Sequence, residues 1–272
     1  MNSFMPWVGG KRALRDIVIA CFPPTFDRYI EVFGGAGWVL FHKRPGTFEV
    51  YNDYNSLLAN LFRCVRDKNK VEQLKEALRY VLNSREDFNI ILDLFARDAP
   101  MSDVDKAAKF YQLIRFSYAA GCTSFNCQPH DIRSSFPVFD AASHRLREVI
   151  VENKDFADLI RQYDKPGTLF YLDPPYFGTE KHYQHSNFDR DSHQRLFDAL
   201  MSIESHWLLS YGDELPIREL YDVPGIYILP ISRLNNIKQR YEGGSEFPEI
   251  LIANYDILER YNQFQPEQLM LA

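Results

Sequence analysis

Several signatures that would decide a protein's class at once are missing from this chain. Its four cysteines, Cys21, Cys64, Cys122 and Cys127, form no C-x-x-C pair, so neither a zinc site nor a redox dithiol has its spacing. Buried free thiols are expected instead. No stretch approaches the roughly 18 uninterrupted apolar residues of a membrane-spanning helix, and the opening MNSFMPWVGGKR lacks the charged-then-apolar pattern of a signal peptide. A cytoplasmic protein is expected. A basic surplus is also missing: the net charge of -6 argues against indiscriminate binding to polyanions. The charge is uneven, however, with 14 basic and 12 acidic side chains over residues 57–149 against 17 and 25 elsewhere. What remains is ordinary: 272 residues, 46% hydrophobic and 25% charged, which excludes fibrous, disordered and disulfide-scaffold classes and allows about two domains.

Short runs rich in aromatic and branched residues, Tyr29 to Phe33 and Phe48 to Tyr51, read as strands. Trp38 to Lys43 between them is short and mostly apolar, completing a β-α-β unit. From Leu57 to about Arg97 apolar residues recur at three and four, as in Leu74, Ala77, Leu78, Val81 and Leu82, which predicts helix. Ser102, with Asp105 three positions on, resembles a capping box ahead of a helical run from Ala107 to Tyr118. Gly121 to Pro137 is polar and loop-like. Strands are expected again at 149–151, 168–172, 207–210, 226–229 and 250–254, interleaved with helices at 155–163 and 192–204. That alternation predicts an α/β fold, a largely parallel sheet with helices on both faces, into which the helical block after residue 56 is inserted. There are no repeats and no low-complexity segments.

The sharpest chemical signal is Asp173-Pro174-Pro175-Tyr176, directly after TLFYL. Open α/β sheets bind ligands at the carboxyl ends of their strands. Two prolines fix φ and remove two N–H donors, leaving a rigid turn with outward carbonyls. Such a turn suits a planar heterocycle bearing an amino group: Asp173 and the Pro174 carbonyl accept its two protons while Tyr176 stacks on the ring. The competing reading is a strand that ends in a proline turn with a capping Asp. A second signal, Glu31-Val32-Phe33-Gly34-Gly35-Ala36-Gly37, places glycines where a backbone can approach a ligand, although packing alone could use them. Asp53 stands after the second strand, where a nucleotide ribose would offer hydroxyls and where a turn Asp is equally at home. Pro6-Trp7-Val8-Gly9-Gly10-Lys11 lacks the spacing of a phosphate-binding P-loop, and taken alone reads as surface structure with a solvated lysine.

Together these segments resemble the Dam-like N6-adenine DNA methyltransferases: PWVGGK, EVFGGAG, the acidic residue of YNDYN, Asp155-Phe156 after a strand, DPPY and the closing EILIANY stand in that family's order. The likeness covers about residues 5–60 and 149–256. Asp173 lies 136 positions beyond Gly37, which leaves room for a target-recognition insert, the α-type arrangement. The resemblance implies a Rossmann-like catalytic domain from 1–56 and 149–272 and an inserted, mainly helical target-recognition domain over 57–148. It implies S-adenosylmethionine as methyl donor: Trp7 and Lys11 border its methionine moiety, Phe33, Gly35 and Gly37 belong to its cradle, Asp53 binds the ribose, Asp155 and Phe156 meet the adenine, and Asp173 touches cofactor and target. The sequence departs from the family where Val32, Gly34 and Trp38 stand, leaving the Gly35-Ala36-Gly37 core intact.

An adenine amine is a poor nucleophile because its lone pair is delocalised into the ring. Two acceptors, Asp173 and the Pro174 carbonyl, return density to nitrogen as it attacks the sulfonium methyl, with proximity and pre-aimed dipoles lowering the barrier. The target base must be flipped out of double-stranded DNA, and Tyr176 recovers part of that cost by stacking. Phe177 to Asp191, with Lys181, His182, Tyr183, His185 and Phe188, is too polar for core and is expected to be a mobile lid. His182, His185 and His193 are read as solvated or phosphate-directed, and no metal is required. DNA contacts are expected from Arg115, Asn126 and Arg133 in the insert, from Lys181, and from Arg233, Lys238 and Arg240. The rivals are methylation of RNA or of a protein amide nitrogen, a catalytically silent DNA-binding relative, and a nicotinamide dehydrogenase. Asp rather than Asn at the first position of the turn, the long insert and intact motifs favour DNA adenine. Neither a membrane nor an obligate protein partner is implied, and a bacterial or viral restriction-modification setting is expected.

Overall fold

The computed structural model describes residues 1–180, 187–234 and 246–263. In chain order the elements are α1 (Arg15–Ala20), β1 (Arg28–Glu31), α2 (Trp38–His42), β2 (Phe48–Asn52), α3 (Ser56–Arg66), α4 (Lys68–Leu78), α5 (Arg85–Ala96), α6 (Asp103–Phe116), α7 (Phe136–Leu146), β3 (Ile150–Glu152), α8 (Phe156–Tyr163), β4 (Thr168–Leu172), α9 (Arg190–Met201), β5 (His206–Gly212), α10 (Leu215–Tyr221), β6 (Tyr227–Leu234), β7 (Glu246–Ala253) and α11 (Ile257–Gln263). Two compact units divide the chain. One comprises 1–10, 35–45 and 55–153, the other 11–34, 46–54 and 154–272. Among the described residues no helix is long and apolar enough to cross a membrane.

The first unit is mainly helical, and side-chain caps set its helix starts. Asn55, Asp67, Ser84 and Ser102 each accept a backbone N–H from the first turn of α3, α4, α5 and α6, satisfying donors that a helix leaves open. The expected helical stretch to Arg97 is therefore broken: α4 ends at Leu78, and Leu82 is 71% exposed in the connection to Ser84. The hydroxyl of Ser102 donates to Asp105 instead of completing a reciprocal capping box. Rings of Phe4, Phe41, Phe62, Tyr111 and Phe139 form the centre of this unit. Where a loop was expected after α6, Ser117 bridges Phe125 in antiparallel fashion, a short 3-10 turn follows at 132–135, and Pro137 opens α7, where its missing N–H costs nothing.

Among the described residues the second unit holds six strands in the order β2-β1-β4-β5-β7-β6. β2, β1, β4 and β5 run parallel, while β7 is antiparallel to both neighbours. Thr168–Leu172 is buried along its whole length, as a central parallel strand should be. Alternate residues serve opposite faces. Ile30, Val32, Phe170, Leu172, Leu209 and Ile250 pack with Leu159, Leu196 and Tyr221 from α8, α9 and α10. On the other face, Phe22 after α1 meets Tyr29 and Tyr171. The chain passes from β1 to β2 on one side, and β4 lies on the other. That reversal places a topological switch point at the carboxyl ends of β1 and β4, the usual ligand position in such sheets.

Candidate active site

Asp173 to Tyr176 follow β4 directly, at that switch point. Asp173 Oδ1 accepts from Lys11 Nζ at 2.6 Å and from Ser210 Oγ at 3.0 Å. Those donors use both lone pairs of Oδ1. Asp173 Oδ2 has no donor among the described residues, and the side chain keeps 18% exposure. The carboxylate is thus oriented, with one oxygen clamped and the other open. Burial raises its pKa above the ordinary carboxylate value, opposed by the charge and hydrogen bond of Lys11. Lys11, read in isolation as a solvated residue, is buried. Its Nζ also donates to Tyr176 Oη at 2.6 Å and lies 3.6 Å from Glu249 Oε2. Tyr176 in turn donates to Glu249 Oε2 at 2.6 Å, and its ring stacks against Phe247.

Beyond β1, Phe33 packs on Phe156 and Phe188 at ring separations of 5.7 and 5.6 Å. Asn52, the last residue of β2, is buried and donates to the carbonyls of Val32 and Lys154, while its Oδ1 accepts from the Lys154 N–H. It ties the end of β1 to the entry of α8. Asp53 follows, half-buried. The Asp155 carboxylate caps α8 at Ala157 and accepts from Arg195 through both oxygens, at 2.9 and 3.0 Å. The Arg195 guanidinium also lies over the Phe156 ring.

Within the first unit, Gly35 adopts φ +49°, and a Cβ there would fall 2.9 Å from Trp7 Cδ1. The position demands glycine on both counts. Gly37 forms the N-cap of α2. Arg115 donates to His130 Nε2 through two guanidinium nitrogens, at 2.9 and 2.6 Å. Burial, then the Arg115 charge, lowers the His130 pKa. Arg133 is bidentate on Asp131, and the Asn126 N–H donates to the Phe116 carbonyl. A cleft of about 940 Å³ in the same unit is lined by Arg63, Arg66, Lys68, Lys70 and Arg147, with acidic neighbours. None of the residues selected from the sequence lines it. Lys181, Lys238 and Arg240 lie outside the described residues, as do His182, Tyr183 and His185; Arg233 lies in β6, with its side chain outside the description.

Three expectations are corrected. Phe188, placed in a polar lid, is 5% exposed and belongs to the aromatic core, because the ring cluster of Phe33 and Phe156 supplies its apolar partners. His193, read as a solvated loop histidine, is buried in α9 and bonded to Tyr211 Oη at 2.8 Å and Glu180 Oε1 at 2.9 Å. Not all the thiols are buried: Cys127 is exposed, with Arg85 donating to its Sγ. Among the described residues no cluster suitable for a metal ion occurs. Sequence reasoning missed Ser210, Glu180 and Glu249. A carboxylate between Pro248 and Ile250, with apolar residues from Phe247 to Ala253 on either side of it, was the available signal for the last.

The profile of D12 class N6 adenine-specific DNA methyltransferases matches residues 7–237. The type II methyltransferase M1.LlaDCHI of Lactococcus lactis subsp. cremoris is 27% identical over 94% of this chain and 96% of its own length. The type II methyltransferase M.CviBI of Paramecium bursaria Chlorella virus NC1A is 24% identical, covering 82% and 87%. The DNA adenine methylase of Haemophilus influenzae is 25% identical, covering 81% and 83%.

Proposed function

The chain belongs to the D12 class of N6 adenine-specific DNA methyltransferases, and from that premise we propose that it uses S-adenosylmethionine and that Asp173, Pro174 and Tyr176 carry out the transfer. The observation that carries this reading is the half-occupied carboxylate of Asp173, with Oδ1 held by Lys11 and Ser210 and Oδ2 open beyond β4. In this reading that oxygen and the carbonyl of the adjacent Pro174 serve as acceptors for the two N–H bonds of an adenine amine.

The residues present fit the cofactor. Gly35 leaves room against Trp7 that any side chain would fill, and Phe33 with Phe156 offers an aromatic wall. The Asp173 carboxylate, with Oδ2 left without a donor among the described residues, is a group suited to lie near a sulfonium. Lys11, Phe33, Gly35, Gly37, Trp7, Asp53, Asp155 and Phe156 are the residues assigned to holding it. When bound, S-adenosylmethionine supplies an electrophilic methyl group on positively charged sulfur. Asp173 and Pro174 would hold the amine through its two N–H bonds, an arrangement whose gain would come mainly from proximity and pre-aimed dipoles, and Asp173 would receive the proton that the amine gives up along its hydrogen bond. Tyr176 supports the flipped base by stacking, which offsets part of the few kcal/mol of unstacking.

DNA contact is assigned to the insert over 57–148, through Arg115, Asn126 and Arg133, and to Lys181, Arg233, Lys238 and Arg240. Type II relatives favour a short specific site and a restriction-modification setting. The test is Asp173→Ala, assayed with labelled S-adenosylmethionine on unmethylated duplex DNA, with RNA and protein as parallel substrates. The variant should keep a cooperative melt and lose methyl transfer to adenine. Wild-type transfer by a folded variant overturns the assignment.

A further inference from the structure

Glu249 is a buried carboxylate that the transfer chemistry leaves without an assigned role. It sits in β7 opposite Gly212 of β5 and Ile231 of β6, and its side chain is 0% exposed. Burying a carboxylate is costly without a partner and often brings no net stability even with one. A role confined to packing would be served by an apolar side chain. Two of its partners are members of the site: Tyr176 Oη at 2.6 Å and Lys11 Nζ at 3.6 Å.

The direction of this chain of bonds is fixed by chemistry. Lysine only donates and an ionised carboxylate only accepts, so the Tyr176 hydroxyl takes a hydrogen from Lys11 and gives its own to Glu249. Burial, followed by the charges of Asp173 and Glu249, keeps the phenol protonated. Gly212 makes the geometry possible, because a Cβ there would already stand 3.2 Å from Tyr176 Cδ2. With Glu249 in place, the hydroxyl proton is directed away from Asp173, and Lys11 is held between the two carboxylates.

We propose that Glu249 is a positioning residue for methyl transfer, fixing Tyr176 and Lys11 so that one oxygen of Asp173 stays clamped and the other stays open to the target amine. The inference rests on the reading of Asp173 as acceptor of that amine. Without Glu249 the tyrosine proton turns toward the remaining carboxylate, competing with the substrate for it, and the ring that supports the base loses one of its two fixed ends.

The experiment compares Glu249→Gln, Tyr176→Phe, the double variant and Asp173→Ala in steady-state transfer from labelled S-adenosylmethionine to unmethylated duplex DNA, with melting temperatures recorded. Glu249→Gln should lower kcat about tenfold or more while the KM for DNA stays within about twofold. In the Tyr176→Phe background the same change should cost under about twofold, since the two residues act through one link. A folded Glu249→Gln enzyme with wild-type kcat overturns the proposal, as does an equal loss in both backgrounds. Should Glu249→Gln fail to fold, Tyr176→Phe decides alone, because it cuts the same link from the other end: kcat must fall, and a wild-type value overturns the proposal. Asp173→Ala separates the premises. If it is active, the reading of the site fails; if it is inactive while Glu249→Gln is unaffected, only the role of Glu249 fails.

Discussion

Lys11 and Asp173, 162 positions apart in the chain, meet at 2.6 Å between Nζ and Oδ1. Their side chains are 6% and 18% exposed, so the pair is poorly screened and its charges act at close to full strength. The segment before α1 is thereby joined to the turn after β4, and the ammonium opposes the rise that burial imposes on the carboxylate pKa.

Replacing Lys11 by Met should move the acid limb of the pH profile. Burial raises the Asp173 pKa and Lys11 opposes the rise; without the ammonium the pKa climbs further. The acceptor form is the ionised one, so activity present at high pH is lost as pH falls through that pKa, and the limb shifts to higher pH. Loss of the clamp on Oδ1 should also lower kcat/KM at its plateau by about 100-fold, the scale of a displaced reacting group. A pH series of kcat/KM measures both, and an unmoved limb contradicts the electrostatic role.

Gly35→Ala tests the cradle. At φ +49° a non-glycine residue costs roughly 1–2 kcal/mol, and the new methyl would press on the Trp7 ring at 2.9 Å. Calorimetric titration should show a weaker Kd for S-adenosylmethionine, with a lower Tm in the absence of cofactor. An unchanged Kd would remove Gly35 and Trp7 from the binding surface.

Asn52→Ala should destabilise the second unit without touching the chemistry directly. Three hydrogen bonds are lost, to the Val32 and Lys154 carbonyls and from the Lys154 N–H. A buried group left unsatisfied costs about 1–3 kcal/mol, so a loss near 3 kcal/mol in denaturant unfolding is expected. A change below about 1 kcal/mol would mean that water replaces the amide.

The strands were legible because alternation and bounding turns mark them locally. Thr168–Leu172 matches its expected range, β5 runs one residue before and two beyond its expected range, and β7 starts four residues early and stops one short. The helix breaks at Leu78 and Phe116 were not legible, since they depend on which polar residue captures the next free N–H. In the site, Asp173 and Tyr176 announced themselves through two adjacent prolines. Ser210 and Glu249 did not, because their meaning comes from strand register: Gly212 opposite Glu249 in β7, and Leu209 of β5 beside Leu172 of β4. Lys11 stood out only through the family resemblance, since its partner Asp173 lies 162 positions away. His193 was misread for the same reason. Its partners Tyr211 and Glu180 lie 18 and 13 residues away, beyond any local pattern.

The two arginines assigned to DNA in the described part of the insert should differ in weight. Arg115 donates to a neutral histidine, so its positive charge is uncancelled and remains available to a phosphate. Arg133 is bidentate on Asp131 at 2.9 Å through both contacts, and a phosphate must first displace that carboxylate. Each phosphate neutralised contributes about 0.9 to the slope of log K against log salt. Arg115→Ala should therefore reduce the slope by about one, and Arg133→Ala by less than about half as much. Fluorescence anisotropy across a salt series on duplex DNA measures both. Acid adds a check on Arg115, because protonating His130 removes its acceptor and places a second cation beside it. Since burial and Arg115 lower the His130 pKa, that change sets in below the ordinary histidine range, and it should steepen the slope of the wild type while leaving Arg133→Ala parallel to it. Equal slopes for both alanine variants would place the two guanidinium groups in the same electrostatic state and refute the distinction.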